Sequence, residues 1–74
     1  LKIFVVDVKY QDPQLPHHSY NVIVLPDGQK YYIDLTASAT RAERGLEPKE
    51  DYEIFNCSIE DYCKKYKETV VNYH

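Results

Sequence analysis

Residues 2–10, KIFVVDVKY, alternate in a way that places Phe4, Val6, Val8 and Tyr10 on one side of an extended chain and Ile3, Val5, Asp7 and Lys9 on the other. Both sides begin apolar, which predicts an inner strand covered at least partly on each face. Residues 11–19, QDPQLPHHS, carry two prolines and no periodicity, and read as a surface loop. Residues 20–35, YNVIVLPDGQKYYIDL, form two strand-like runs around Pro26-Asp27-Gly28. Proline presets the first turn angle, aspartate favours the bend and glycine accepts a left-handed conformation, so a β-hairpin is expected.

Pairing Leu25 with Gln29 sets Ile23 opposite Tyr31 and Val22 opposite Tyr32. The hairpin then has two apolar faces, one with Ile23, Leu25, Tyr31, Ile33 and Leu35, the other with Tyr20, Val22, Val24 and Tyr32 between Lys30 and Asp34. A domain this small can fully cover only one of them. The Tyr20, Val22, Val24 and Tyr32 face is taken as the one left free for a partner, since exposed apolar patches commonly mark interfaces.

Residues 36–45, TASATRAERG, predict a short helix, with a capping box from Thr40 to Glu43 and Gly45 at its C-terminal end. LEPKE then reads as a linker, since Pro48 stops the helix, and YEIFN at 52–56 as a short last strand. Ser58 is an N-cap with Glu60 and Asp61 in the first turn behind it. Ile59, Tyr62, Cys63, Tyr66, Val70 and Tyr73 recur at three- and four-residue steps, which predicts an amphipathic C-terminal helix running to the end of the chain. Glu60 with Lys64, and Asp61 with Lys65, would support its outer side. The expected fold is therefore a single α+β domain: a mostly antiparallel sheet of three to four strands with the C-terminal helix packed on one face.

Length limits the chemistry such a domain can hold. A chain of 74 residues buries roughly 60% of its unfolded surface and has little material for a deep cleft. Charge of 28% with both signs interspersed, and an apolar fraction of 43%, predict a folded chain. A net charge of −3 offers no general attraction to nucleic acid or anionic lipid, so direct binding to either is not expected. No apolar run approaches the roughly 20 residues of a membrane span. The opening residues read as a strand rather than a leader peptide, and two cysteines six positions apart are too few for a secreted disulfide framework. A reduced, cytoplasmic setting is expected.

Catalytic groups are hard to assemble from this chain. His17, His18, Cys57, Cys63 and His74 match no metal-ligand spacing. Cys57 precedes a helix that could activate its thiol, but Glu53, Glu60 and Asp61 nearby disfavour a thiolate, and Cys63 falls on the apolar stripe. Ser19, Ser38 and Ser58 lack an adjacent base, and Gly28 and Gly45, the only glycines, form no phosphate-cradling loop. Glu50 and Asp51 would need a cleft to act as acid and base. No catalytic residues, metal or cofactor are expected.

Charge is unevenly spread. Residues 47–63 carry Glu47, Glu50, Asp51, Glu53, Glu60 and Asp61 against Lys49 alone, which concentrates the acidic excess of the whole chain in one segment. Such a segment could draw in a protein with a basic surface, speeding association more than tightening it. The expected function is that of a small non-enzymatic protein-binding regulator or inhibitor, by analogy of size and composition the kind of protein phages and other mobile elements encode against host machinery. The alternatives are a homo-oligomeric structural or accessory subunit, with a homodimer as its simplest form, and an acidic mimic of nucleic acid that blocks a DNA- or RNA-binding protein.

Overall fold

The computed structural model describes residues 1–74. It is an α+β domain with a five-stranded antiparallel sheet and two short helices. Strands β1 (Lys2–Tyr10), β2 (His18–Val24) and β3 (Lys30–Ile33) are followed by helix α1 (Ala37–Glu43), strand β4 (Tyr52–Ile54), helix α2 (Ile59–Lys65) and strand β5 (Glu68–Tyr73). The order across the sheet is β4-β3-β2-β1-β5.

The hairpin forms in the register its sequence predicts, with Ile23 opposite Tyr31 and Val22 opposite Tyr32. Leu25 N–H donates to Gln29 O at 2.9 Å and Gly28 N–H to Leu25 O at 2.9 Å. Gly28 takes a φ of 89°, which a side chain would strain. Strand β1 is internal in the sheet, paired with β2 on one side and β5 on the other, but it is covered on one face only: Val6 and Val8 are buried under α2, whereas Ile3 is 64% exposed on the opposite face.

Helix α1 begins earlier than the expected capping box. Thr36 stands at its N-cap without a side-chain bond, and the Ser38 N–H is satisfied instead by Asp51 Oδ1 at 3.1 Å. Its C-terminus closes as a Schellman motif, Leu46 N–H donating to Arg41 O and Gly45 N–H to Ala42 O, with Gly45 at φ 69°. Helix α2 starts as expected, with Ser58 Oγ accepting from Asp61 N–H at 3.1 Å.

The C-terminal helix does not run to the end of the chain. It stops at Lys65, and Lys67 turns the backbone through φ 58°, a position usually given to glycine. The chain then returns as a fifth strand, paired with β1 through Val70 opposite Val8 and Glu68 opposite Tyr10. Val70 and Tyr73 fall on the helical stripe by coincidence of spacing. Thr69-Val70-Val71 is β-branched throughout and favours the pleated conformation. The Glu60–Lys64 and Asp61–Lys65 pairs do not form; Lys65 reaches Glu53.

Both helices lie on one side of the sheet. Val6, Val8, Tyr20, Val22 and Tyr32 from the strands pack against Ile59, Tyr62 and Cys63 of α2, with Phe4, Phe55, Tyr66 and Val70 around them. Tyr32 and Tyr62 stack with centroids 3.7 Å apart and an interplanar angle of 10°. This corrects the face expected to be free. Tyr20, Val22 and Tyr32 are buried under α2 and Val24 is half-buried, so the first three are out of a partner's reach. The physical reason lies in the opposite face, where register aligns Asp7 with Ser19 and Val5 with Asn21; those polar side chains would be stranded under a helix.

Candidate functional site

The uncovered face is built row by row by the strand register. Ile54, Tyr31, Ile23 and Ile3 stand opposite one another in turn across β4, β3, β2 and β1. The next row is Tyr52, Ile33, Asn21 and Val5. The third is Ser19, Asp7 and Asn72, and Lys9 with Thr69 lies beyond it. The face therefore grades from apolar at the β3–β4 end to polar at the far end of β1. Ile3 is 64% exposed, Tyr52 70% and Ile54 50%, and Leu35, just beyond β3, is 70%. Ile23, Tyr31, Ile33 and Val5 are half-buried.

At the polar end Asp7 accepts from Ser19 Oγ at 2.6 Å and lies 3.3 Å from His74 Nε2. The Ser19 hydroxyl and then the His74 ring hold the Asp7 carboxyl below its usual pKa, against a smaller opposing effect of burial. Serine, aspartate and histidine meet here in an order unlike a nucleophile triad, because the aspartate and not the histidine accepts the serine hydroxyl's hydrogen bond.

The six acidic residues of 47–63 do not act as one free patch. Glu47 pairs with Lys67, Glu53 accepts from Lys65 and from the Tyr66 hydroxyl, and Asp51 binds the start of α1. Glu53 sits below its usual pKa, since these two donors outweigh the effect of burial. Glu50, on the 46–50 segment, and Glu60 and Asp61, on the first turn of α2, are exposed and make no ion pair. Lys49, the one cation of the segment, is turned inward.

Lys49 is part of a buried charge cluster that composition alone does not reveal. Its Nζ donates to Asp34 Oδ2 at 3.2 Å and to Glu68 Oε2 at 3.0 Å. It also lies 3.9 Å from the centre of the Tyr20 ring, with Tyr62 and Tyr66 completing a cage. Arg41 Nη1 donates to Glu68 Oε2 at 2.9 Å, and its other nitrogens donate to the carbonyls of Glu47 and Tyr66. His18 Nε2 donates to Asp34 Oδ1 at 2.8 Å, and the Tyr20 hydroxyl to Glu68 Oε1 at 2.8 Å. Burial pushes the Asp34 carboxyl up, but the His18 hydrogen bond and the Lys49 charge outweigh it, so its pKa lies below the usual value. Two carboxylates thus meet two cations in a site closed to solvent. The cluster joins β2, the turn after β3, α1, the 46–50 segment and β5, and its role is to fix where they sit.

Cys63 lies in the core with its Sγ 3.2 Å from the Tyr20 hydroxyl, and burial raises its pKa, which keeps the thiol protonated and unreactive. Cys57 is exposed and unbonded to another cysteine. The five histidines and cysteines considered as ligands do not converge, and no three His, Cys, Asp or Glu side chains are arranged to hold a metal ion. No helix is long and apolar enough to cross a membrane.

The hydroxyls of Tyr32 and Tyr62 are buried without a hydrogen-bond partner in the protein. Burying an unpaired hydroxyl costs about 1–3 kcal/mol, so Tyr62→Phe is expected to leave stability unchanged or raise it by about 1 kcal/mol in urea unfolding. A loss of stability would show that the hydroxyl is bonded. No family model matches this chain, no curated protein matches its sequence, and no solved structure matches its fold.

Proposed function

We propose that this chain is a non-enzymatic protein-binding domain of the regulatory kind, and that it binds protein through the sheet face its helices leave bare. The observation that supports this reading is the pair of apolar rows across β4, β3, β2 and β1, Ile54-Tyr31-Ile23-Ile3 and Tyr52-Ile33-Asn21-Val5. A monomeric domain ordinarily places polar side chains on the solvent side of an antiparallel sheet, and contiguous exposed apolar area of this kind marks an interface. The occupant that fits is a protein surface that is itself uncharged and apolar, since this part of the face offers no ion pair. The acids Glu60 and Asp61 stand on α2, on the helical side of the sheet.

A photo-crosslinking side chain placed at position 3 or 54 in the native host is expected to capture protein, and one at position 60 is not. Equal capture from all three positions, or capture from position 60 alone, would remove the sheet face as the working surface.

A further inference from the structure

We infer that the occupant of the uncovered sheet face is a second copy of this chain, packed sheet on sheet about a two-fold axis. This deepens the protein-binding reading above and rests on it. Three observations point to a copy rather than to a partner of another kind.

Shape is the first. A broad, twisted antiparallel sheet face is matched by another such face, as in a β-sandwich, with the two layers about 10 Å apart. The chain supplies one half of that architecture: helices on one side of five strands and nothing on the other. Charge is the second. Register places just two carboxylate or ammonium side chains on this face, Asp7 and Lys9, of opposite sign. The face is therefore neutral while the chain as a whole carries −3, so two copies can meet here without bringing their excess charge into contact. In a two-fold pairing the same patch meets itself, and a face holding one charge of each sign is self-complementary. A partner selected by charge would need a one-signed surface, which this face lacks.

Area is the third. Five strands at about 4.8 Å spacing, the longest about 30 Å long, make a face of about 500 Å². Two such faces bury about 1,000 Å², near the lower bound for a specific interface. The dimer is accordingly expected to be reversible, with a dissociation constant in the micromolar range rather than below it. Its centre is the Tyr52-Ile33-Asn21-Val5 row, flanked by Ile54-Tyr31-Ile23-Ile3 on one side and by Ser19, Asp7 and Asn72 on the other.

Sedimentation equilibrium of the purified chain, from low micromolar to near-millimolar concentration, tests this directly. The expected result is a monomer–dimer equilibrium that Ile54→Lys or Ile3→Lys weakens about tenfold or more, since a lysine in the apolar row must be desolvated without a partner. Both positions are half or more exposed in the monomer, so the variants should keep the parent circular dichroism and melting behaviour. A crosslinker at position 54 of the purified chain should give a covalent dimer. A monomer throughout the series overturns the inference, as does a dimer indifferent to both lysines, which would be held together elsewhere, for instance along the β5 edge. If the purified chain is a monomer yet position 54 still captures a different protein in the host, the copy is excluded and the protein-binding reading stands. If neither forms, both fall.

Discussion

Raising the pH above 10 is expected to unfold this protein steeply, within about two pH units. Burial raises the pKa of Tyr20, with Glu68 adding to it, and burial likewise raises those of Tyr32 and Tyr62, from an ordinary value of 10.0. Tyr10 and Tyr66 are raised as well, so the folded state holds at least three phenolic protons that the unfolded chain releases. A group whose folded pKa is raised contributes stability that is intact below the unfolded pKa and is lost as pH climbs above it. Each such tyrosine removes about 1.4 kcal/mol per pH unit, and the three together about 4 kcal/mol per unit. A domain of this size has about 5–10 kcal/mol in all. Tyrosinate absorbance and loss of far-ultraviolet circular dichroism should rise together in one cooperative step. Tyr62→Phe removes one of these protons and should lessen the slope by about a third at most. Titration of all eight tyrosines with the circular dichroism intact would show that the core hydroxyls are open to water.

Lys49→Met is expected to destabilise the fold by about 3 kcal/mol, measured by urea unfolding. Removing one member of a buried ion cluster leaves charge uncompensated, which typically costs about 3–5 kcal/mol. The lower figure applies because Asp34 keeps His18, and Glu68 keeps Arg41 and the Tyr20 hydroxyl. Methionine preserves the length of the stem between the Tyr20 and Tyr62 rings, so the loss reports on charge rather than on packing. The double variant Asp34→Asn, Lys49→Met restores the balance of one anion to one cation and should be more stable than Lys49→Met alone. If the second substitution merely adds its own loss, the cluster is not held by its charges.

Much of this fold is legible along the chain. The hairpin register follows from Pro26-Asp27-Gly28, the start of α2 from Ser58, and the burial of Cys63 from its position on the stripe. These depend on neighbours a few residues apart. The end of α2 was open to misreading because Val70 and Tyr73 fit a helical period and a strand equally well, and the only local correction is the β-branched run from Thr69 to Val71. The covered face was available in principle, since Asp7, Ser19 and Asn21 all fall on one side. Seeing it requires combining the alternation of β1 with that of β2, which needs the pairing between them. Nothing local marks Lys49 or Arg41 for burial. Their partners are far apart in the chain, Asp34 just beyond β3 and Glu68 at the start of β5, and a lone lysine in an acidic run reads as solvent-facing.

The pairing of β5 with β1 has a consequence for the order of assembly. His74 and Val5 exchange backbone hydrogen bonds across nearly the whole chain, whereas β2 and β3 are joined by a tight turn. Loop-closure entropy favours the hairpin first and the β1–β5 contact late. Until β5 arrives, one edge of β1 is unpaired and Glu68 is missing from its cations, so Lys49 and Arg41 have no complete site to enter. The last strand to dock is thus the one that completes both the ladder and the charge balance, and refolding from a crowded solution is where strands from different molecules compete for its place.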